Sequence, residues 1–348
     1  MRVLICGAGV AGLALARWLA RDGQEVVLVE RAPARPGAGY MLDCRGRGLD
    51  AVEHMGLLAE LREHAVDLAE LVYHDQDGAE LGRFADDGPE AERTVSVLRG
   101  ALVRILGDAL PSTVDLRYGR TVGAALEDGD GLDVTVDDGI VERVDLLVGA
   151  DGLHSRIRAL AFGPEEQFRR DLGFHTAAYV MREAGTTRSL GHALHMIEGS
   201  GLQVGAYPLD TDRLATLFVH RVRPQEPLPQ DPRAELRRRY EATGWIVPRL
   251  LEHCPGPGEL YFDRVSQIEM PTWSRGRTVL LGDACQAMSL LTGQGAGMAL
   301  AGAEALAQQL RSEGDIPAAL ARYEYELRPV VERMQAEGRA LAEDFVPV

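Results

Sequence analysis

The sequence lacks a long apolar run. No stretch approaches the roughly 18 consecutive apolar residues that a membrane-spanning helix needs. The first apolar run begins within two residues of Met1, which leaves no room for a signal peptide. We therefore expect a cytoplasmic protein with no membrane partner.

Cysteine is scarce, and its spacing is uninformative. The 348-residue chain has four cysteines and no C-x-x-C pair, and its nine histidines form no H-E-x-x-H pattern. Such scattered residues are more typical of packed thiols than of metal ligands or a disulfide framework. The sequence therefore predicts no metal. The cysteines are Cys6, Cys44, Cys254 and Cys285.

Positive charge is also in deficit. The chain has 37 Lys and Arg against 53 Asp and Glu, which gives a formal net charge of −16. A strongly acidic balance disfavours nucleic acid and anionic membranes as partners. An anionic ligand would depend on local arginines. The apolar content of 46% is ordinary for a soluble enzyme, and the length favours two lobes.

A glycine-rich motif lies between two apolar runs near the start of the chain. Residues 2–6 form an apolar run that begins with Arg2, residues 7–12 are Gly-Ala-Gly-Val-Ala-Gly, and a helical pattern follows. The second run, residues 25–29, is followed by Glu30, which lies 18 residues after the last glycine. These glycines permit a tight turn, close approach of a pyrophosphate and close helix packing, and the acid suits a ribose hydroxyl. The motif predicts a dinucleotide site but does not separate NAD from FAD.

Two further motifs lie at the ends of strands later in the chain. In residues 146–158 an apolar strand enters Asp151-Gly152, and Ser155 is a candidate helix N-cap. In residues 276–297 a strand ends at Asp283, before a glycine-rich loop that opens a helix. Asp283 is placed to accept hydrogen bonds from a ribityl or ribose hydroxyl. The loop amides suit a flavin that gains negative charge.

In this order and spacing, the three motifs resemble those of the aromatic-hydroxylase family of FAD-dependent monooxygenases, over nearly the whole chain. The resemblance implies non-covalent FAD. It also implies NAD(P)H as a transient reductant without a Rossmann domain of its own, because the chain has one fingerprint only. Asp151 either orders its own turn or touches a ligand. The cofactor-binding residues that the resemblance implies are Gly7, Gly9, Ala11, Gly12, Glu30, Arg31, Arg99, Asp283, Gly293, Gly295 and Ala296.

The expected fold is α/β. It has a Rossmann-like FAD-binding domain, an inserted antiparallel-sheet substrate domain and C-terminal helices. The predicted boundaries are residues 1–170 for the first part of the FAD-binding domain, with a β-meander at 115–143, residues 171–270 for the substrate domain, and residues 271–348 for the second part and the C-terminal helices. Periodicity predicts single helices over residues 45–64 and 232–254.

The expected activity is hydroxylation of an aromatic or polyketide-like small molecule through a flavin hydroperoxide, with consumption of NAD(P)H and O₂. The cofactor would carry the chemistry, and no catalytic side chain is assigned. Two alternatives stay open: an FAD-containing non-redox cyclase of a biosynthetic pathway, and a flavin-dependent isoprenoid reductase. A cyclase would consume neither NAD(P)H nor O₂.

The substrate is expected against one face of the inserted sheet. Gln203, Gly205 and Tyr207 alternate and therefore share a face, which has the mixed polarity of a pocket wall. Gln203 and Tyr207 are the candidate substrate residues, provided that this face is turned to the flavin and not to solvent. Three strand histidines are predicted to be packed or half-exposed strand residues and not proton carriers: His175, His195 and His220.

The chain departs from the family pattern after Asp283. It has Cys285-Gln286 where the family commonly has a histidine, and Leu290-Leu291 where the family commonly has a proline near the flavin. These departures leave open how the flavin and substrate are contacted there. Arg45 and Arg47 remain either phosphate contacts or solvated charges at a helix start.

Overall fold

The computed structural model describes residues 1–35, 39–85, 93–256 and 258–346. The helices are α1 (Val10–Arg21), α2 (Arg47–His54), α3 (Leu58–Glu63), α4 (Arg99–Asp108), α5 (Arg156–Ala161), α6 (Ala184–Leu190), α7 (Pro232–Tyr240), α8 (Val247–Glu252), α9 (Asp283–Gln286), α10 (Gly295–Ser312) and α11 (Ile316–Asp344). The strands are β1 (Arg2–Cys6), β2 (Glu25–Glu30), β3 (Met41–Arg45), β4 (Glu70–His74), β5 (Glu80–Ala85), β6 (Thr94–Leu98), β7 (Asp115–Tyr118), β8 (Val122–Asp128), β9 (Gly131–Val136), β10 (Val141–Val144), β11 (Leu146–Gly149), β12 (Arg169–Arg182), β13 (Ala193–Gly199), β14 (Leu202–Pro208), β15 (Arg213–Arg221), β16 (Tyr261–Ile268), β17 (Ser274–Arg275) and β18 (Thr278–Leu280).

A six-stranded sheet forms the nucleotide-binding half, in the order β17-β18-β11-β1-β2-β7. Its pairs are parallel except for β17 with β18. The central strands β1, β2 and β11 are almost continuously buried, as expected for a parallel sheet that is covered on both faces. Since the carboxyl ends of parallel strands share one edge, β1, β2, β11 and β18 bring the three sequence motifs together there.

A seven-stranded sheet forms the second half, in the order β16-β12-β15-β14-β13-β4-β5. All its pairs are antiparallel except β13 with β4. The mainly antiparallel second sheet agrees with the expected fold. The hairpin β4–β5 lies outside residues 171–270, so the predicted boundaries of the substrate domain miss part of this sheet. Its pairing with β13 spans more than 100 residues, a contact that periodicity does not reveal.

Three other sequence predictions need correction. The first strand of the meander predicted at 115–143, β7, pairs with β2, and only β8, β9 and β10 form a meander. The predicted helix 45–64 is two helices, because Gly56 adopts a φ of 75° between them. The predicted helix 232–254 is also two helices, because Trp245 has a φ of 50° between α7 and α8.

The two faces of the second sheet have different neighbours. One face packs against α7 and α8 in a buried apolar cluster that contains Val204 and Phe218. The opposite face, which we call the front face, is turned toward the nucleotide-binding half and the C-terminal end of α11. Helices α2 and α10 pack closely at two glycines, since a Cβ at Gly48 would overlap the backbone of Gly297. Within the described residues, no helix is long and apolar enough to cross a membrane.

Candidate cofactor and substrate site

The three glycines of the first motif have three different surroundings. Gly7 has a φ of 108°, and a Cβ there would overlap the Ala150 carbonyl. A Cβ at Gly12 would overlap the Gly7 carbonyl. In contrast, a Cβ at Gly9 would meet nothing within 4 Å, and Gly9 is the N-cap of α1. Gly7 and Gly12 therefore hold the turn together, while Gly9 leaves an open approach to the N–H groups of α1, where an anion is stabilised.

The other residues predicted at the first motif have distinct environments. Both carboxylate oxygens of Glu30 accept backbone hydrogen bonds, from Ala8 at 2.8 Å and from Ala32 at 2.7 Å. Glu30 is half-buried beside the glycine turn and has lone pairs left for a hydroxyl. Arg31 is exposed. Ala11 is buried where Gly282 of the third motif approaches α1.

Asp283 lies in a cleft with two tyrosines and an arginine. The side chain of Asp283 is exposed to the cleft and has no hydrogen-bond partner within the described residues. The surrounding protein raises the pKa of its carboxyl above the usual value, while the positive charge of Arg99 opposes the shift. The rings of Tyr40 and Tyr261 lie 5.5 Å apart, and burial raises the pKa of both. The cleft therefore presents an unsatisfied acceptor beside aromatic surface.

The glycine-rich loop before α10 adjoins the same cleft. Gly293 has a φ of 64°, and a Cβ there would lie 3.6 Å from a carboxylate oxygen of Asp43. A Cβ at Gly295 would lie 3.8 Å from Oδ1 of Asp283. Ala296 is buried in the first turn of α10. Asp43, which the motifs did not point to, accepts a hydrogen bond of 2.7 Å from the Ser96 hydroxyl.

These observations fit bound FAD. The unobstructed side of Gly9 admits a diphosphate at the N-terminus of α1. The unpartnered carboxylate of Asp283 suits the hydroxyl groups of a ribityl chain. Both lie at the carboxyl edge of the parallel sheet, where ligands of α/β folds bind.

The second motif is a structural turn. Asp151 accepts hydrogen bonds from the Ser155 hydroxyl at 2.5 Å and from the Arg156 N–H at 2.6 Å, and Ser155 caps α5 through the Arg158 N–H. Arg158 is fully buried and donates to the Ala284 carbonyl at 2.9 Å. It thereby ties the second motif to the third.

A histidine bridge joins the second motif to the second sheet. His154 lies 3.0 Å from Glu165 through Nδ1 and 3.0 Å from Asp263 of β16 through Nε2. The carboxylates of Asp263 and Glu165 raise the pKa of His154 to about 9. Burial alone would raise the pKa of Glu165, but hydrogen bonds from His154 and Arg169 hold it at about 2. At neutral pH the bridge is therefore an imidazolium between two carboxylates.

The predicted substrate residues lie at the boundary of the two halves. The Tyr207 hydroxyl accepts a hydrogen bond of 2.9 Å from the Met41 N–H of β3. Gln203 lies on the same face and donates to Glu198 at 3.3 Å. Tyr207 is 3% exposed and Gln203 is 6% exposed. The face that carries them is therefore turned to the nucleotide-binding half and not to solvent.

A mainly apolar row of residues, which we call the trough, crosses the front face. Register partners share a face, which aligns one row of residues across six strands: Tyr261, Ala178, Leu217, Gly205, Met196 and Tyr73. Ala178 and Gly205 make a low floor, while Leu217, Met196 and Tyr73 are partly exposed along it. The parallel row beside it is more polar and contains Asp263, Thr176 and Gln203.

The departures from the family pattern face inward. Cys285 and Gln286 are buried, and Gln286 donates to the Tyr323 hydroxyl of α11 at 2.7 Å. Leu290 and Leu291 pack in a cluster with Leu217 of the trough and the end of α11. The loop that opens α10 therefore joins a cluster that includes front-face residues.

The remaining candidates have structural settings. Arg45 donates to the Thr292 carbonyl at 3.3 Å, and Arg47 is exposed. His175, His195 and His220 are buried strand residues, as predicted. All four cysteines are buried. Burial raises the pKa of all four thiols, to about 12 for Cys6 and Cys44, which disfavours a thiolate for covalent flavin attachment.

Comparison with known proteins now identifies the family. A model of the FAD binding domain matches residues 1–337. The chain is also 31% identical over 356 residues to a flavin-dependent monooxygenase from an unknown prokaryotic organism, with 99% of this chain and 90% of the relative covered. The chain is an FAD-dependent monooxygenase of the aromatic-hydroxylase family.

Solved structures share the fold of this monooxygenase. Tetracycline destructase Tet(51) is 30% identical with a TM-score of 0.87, over 98% of this chain and 90% of that chain. Klebsiella pneumoniae HpxO, crystallised with FAD and uric acid, is 27% identical with a TM-score of 0.83, over 99% and 88%. The monooxygenase thus binds FAD in a fold that these relatives share.

Proposed function

We propose that the monooxygenase hydroxylates an aromatic or polyketide-like small molecule in the trough of the front face, with NAD(P)H as the reductant and O₂ as the oxygen donor. The observation that supports this most is that Leu290, Leu291 and Leu217 all pack against one buried apolar cluster, which contains Val219 of β15. This shared cluster supports a substrate position between the loop beside the predicted flavin-binding cleft and the trough. The relatives' names, a tetracycline destructase and an enzyme bound to uric acid, support a ring-shaped substrate.

The chain's own residues would position the cofactor and the substrate. Gly9 and the N-terminus of α1 would hold the diphosphate of FAD, Glu30 a ribose, and Asp283 the ribityl chain. Bound FAD would supply the redox chemistry that carries one oxygen atom of O₂ to the substrate. The buried walls at Tyr207 and Gln203 would exclude water from the space above the trough.

The site also limits which tyrosines can act as bases. Burial raises the pKa of Tyr40, Tyr207 and Tyr261, so these hydroxyls stay protonated at neutral pH and can only donate or accept hydrogen bonds. A phenolic substrate would therefore be deprotonated by another group or bind as the phenolate. Asp263 is a front-face carboxylate in the polar row beside the trough.

The test is coupled consumption of two reagents. Purified holoenzyme is screened with NADH and NADPH over phenols, naphthoquinones and tetracyclines, and nicotinamide oxidation and O₂ uptake are recorded together. We expect one substrate class to stimulate both in about equal amounts. Turnover of a substrate without nicotinamide or O₂ would instead favour the non-redox cyclase. Nicotinamide oxidation without O₂ uptake would favour the isoprenoid reductase.

A variant connects this activity to the trough. Tyr207→Phe removes the hydroxyl that accepts from Met41 but keeps the ring. We expect altered kcat/KM with an unchanged FAD content. Unchanged kinetics in Tyr207→Phe and in Gln203→Leu would contradict the placement of the substrate on this face.

A further inference from the structure

A second cavity lies at the end of the seven-stranded sheet, apart from the FAD-binding cleft. Its volume is about 540 Å³, within the range of small-molecule sites. The start of β12, the end of β15 with the loop after it, and the last turns of α11 form its walls. Its lining includes none of the predicted FAD-binding residues.

The walls of this cavity are rich in arginine, in a chain with a net charge of −16. Two of the carboxylates at the cavity form ion pairs with arginines that do not line it. Asp171 pairs with Arg169 at 2.9 Å, and Glu226 pairs with Arg239 at 2.5 Å, and neither arginine lines the cavity. Glu343 remains as an exposed carboxylate on the rim. The lining arginines are Arg170, Arg221, Arg223, Arg264 and Arg339.

Two of these arginines lack a close ionic partner. The guanidinium of Arg223 has no hydrogen bond or ion pair within the part of the chain that the structure describes. The nearest carboxylate oxygen to Arg264 belongs to Asp171, at 3.8 Å, and its other contact is a 3.4 Å bond to the Glu226 carbonyl. Arg264 is only about one-fifth exposed, with a side-chain exposure of 20%. Arg264 is therefore poorly solvated and poorly paired, which makes it a ready donor for an anion, whereas Arg223 is exposed to solvent.

The other three arginines are already engaged. Arg221 donates to the carbonyl groups of Glu343 and Val346 and lies over the Phe174 ring. Arg339 and Arg170 both pair with Glu269, at 2.8 and 3.6 Å. These contacts fix the wall of the cavity and leave Arg223 and Arg264 for a ligand.

A buried imidazole adds a third polar group. His175 lines the cavity, is 1% exposed, and has no hydrogen-bond partner at either ring nitrogen among the described residues. The backbone around it is irregular. β12 carries a bulge between Asp171 and His175, and Gln225 has a φ of 62°. Bulges and strained residues occur disproportionately at ligand sites.

We propose that this cavity is a second ligand site that binds a phosphate-bearing small molecule through Arg223, Arg264 and His175. A phosphoryl group carries up to two charges and three terminal oxygens, which matches two guanidinium groups and one imidazole better than a single carboxylate does. The remaining volume accommodates the body of the ligand. The phosphate can belong to the nicotinamide reductant or to a separate metabolite.

The test is direct binding to the FAD-loaded enzyme. Inorganic pyrophosphate is titrated by calorimetry at two salt concentrations into the wild type, Arg223→Gln and the double variant Arg223→Gln/Arg264→Gln. We expect binding that weakens with salt, a loss of about tenfold in affinity in the single variant and more in the double variant. Arg182→Gln/Arg238→Gln is the matched control, because it removes the same charge from exposed positions elsewhere in this half.

The outcomes distinguish the two possible sources of the phosphate, the nicotinamide reductant and a separate metabolite. If pyrophosphate competes with NADPH and the double variant raises the KM for NADPH, the site holds the phosphate of the reductant. If NADPH kinetics are unchanged while pyrophosphate binding is lost, the ligand is a separate phosphate compound. Absence of binding to the wild type, or equal loss in the control pair, would overturn the proposal. FAD content and melting temperature establish that each variant is folded.

Discussion

Each glycine of the first motif is required for a different spatial reason. Gly7 and Gly12 lie so close to neighbouring backbone that a Cβ would overlap it, whereas Gly9 faces open space. The sequence motif predicts a tight turn at the first glycine, the approach of a pyrophosphate at the second and close helix packing at the third, and the structure gives the distances on which each role depends. The structure assigns Gly7 and Gly12 to the fold and leaves Gly9 for the ligand.

This difference makes a prediction for two matched variants. Gly9→Val should leave the melting temperature of the apoprotein nearly unchanged, because the new side chain meets nothing within 4 Å of its Cβ. It should abolish FAD binding, since the side chain would fill the approach to the N-terminus of α1. Gly12→Val should lower the melting temperature of the apoprotein itself. Stoichiometric flavin in purified Gly9→Val would contradict the assignment.

Asp283 gives a second prediction at this scale. Its carboxyl has no partner within the described residues, and the surrounding protein opposes its ionisation. Asp283→Ala should therefore cost the apoprotein little stability. Loss of a charge-assisted hydrogen bond to FAD should weaken flavin binding by about tenfold to a hundredfold.

Flavin titration of the apoprotein measures this loss, and thermal melting of the same sample measures the fold. Asp283→Asn serves as the conservative comparison, since it keeps an acceptor but loses the charge. An unchanged flavin affinity in Asp283→Ala would make the residue a turn element only.

At the scale of elements, local patterns predicted the strands and helices around the motifs. The strand, glycine turn, helix and second strand of residues 2–30 are present as β1, α1 and β2, because each has a strong local period. The predicted helices 45–64 and 232–254 are broken because Gly56 and Trp245 adopt positive φ. Apolar periodicity continues across such breaks and conceals them.

Long-range contacts of the site were not predictable in the same way. Tyr40 and Tyr261 meet although more than 200 residues separate them, and the bridge from His154 to Asp263 spans 109 positions. Each residue is unremarkable in its own segment. The motifs predicted where the cofactor residues lie, whereas the cleft walls depend on how two sheets are brought together.

The His154 bridge carries a pH-dependent prediction. The two carboxylates raise the pKa of His154 from its ordinary 6.5 to about 9 in the folded protein. Its contribution to stability is therefore complete below pH 6.5 and is lost as the pH rises through 9. The melting temperature of His154→Gln should fall below that of the wild type at pH 6, and the gap should close by pH 9 to 10.

Arg169→Gln is the control for this bridge. Arg169 contacts the same carboxylate, Glu165, at 2.6 Å, but it does not titrate in this range. Its melting difference from the wild type should stay constant between pH 6.5 and 9. A constant difference in His154→Gln as well would show that the bridge does not depend on the imidazolium charge.

At the scale of the whole molecule, the proposed substrate site lies between the two halves. The parallel sheet supplies the cofactor edge, and the front face of the second sheet covers it through Tyr207 and the cluster around Leu217. In this proposal, both halves are needed to enclose a substrate. Substrate specificity should therefore depend on the floor of the trough, where small residues leave room for a ligand.

Gly205 tests this floor. A Cβ there would lie 3.3 Å from Sδ of Met196 and 3.6 Å from Cβ of Leu217, and the methionine can move aside. Gly205→Val should fold with its full FAD content but fill the trough. The KM of the bulkiest substrates should rise by about tenfold or more, with small phenols affected less.

Gly123→Val is the matched control, since it adds the same side chain to β8, where the nearest described atom to the new Cβ is the Thr135 carbonyl at 3.4 Å. Steady-state kinetics over a size series of substrates, with flavin content from absorbance, measure both variants. If Gly205→Val shows the same size profile as Gly123→Val, the substrate does not lie on the front face. If only Gly205→Val loses activity on the large substrates, the depth of the trough at Gly205 sets the size limit for substrates of this monooxygenase. A valine there changes the space between the two halves and leaves the cofactor edge intact.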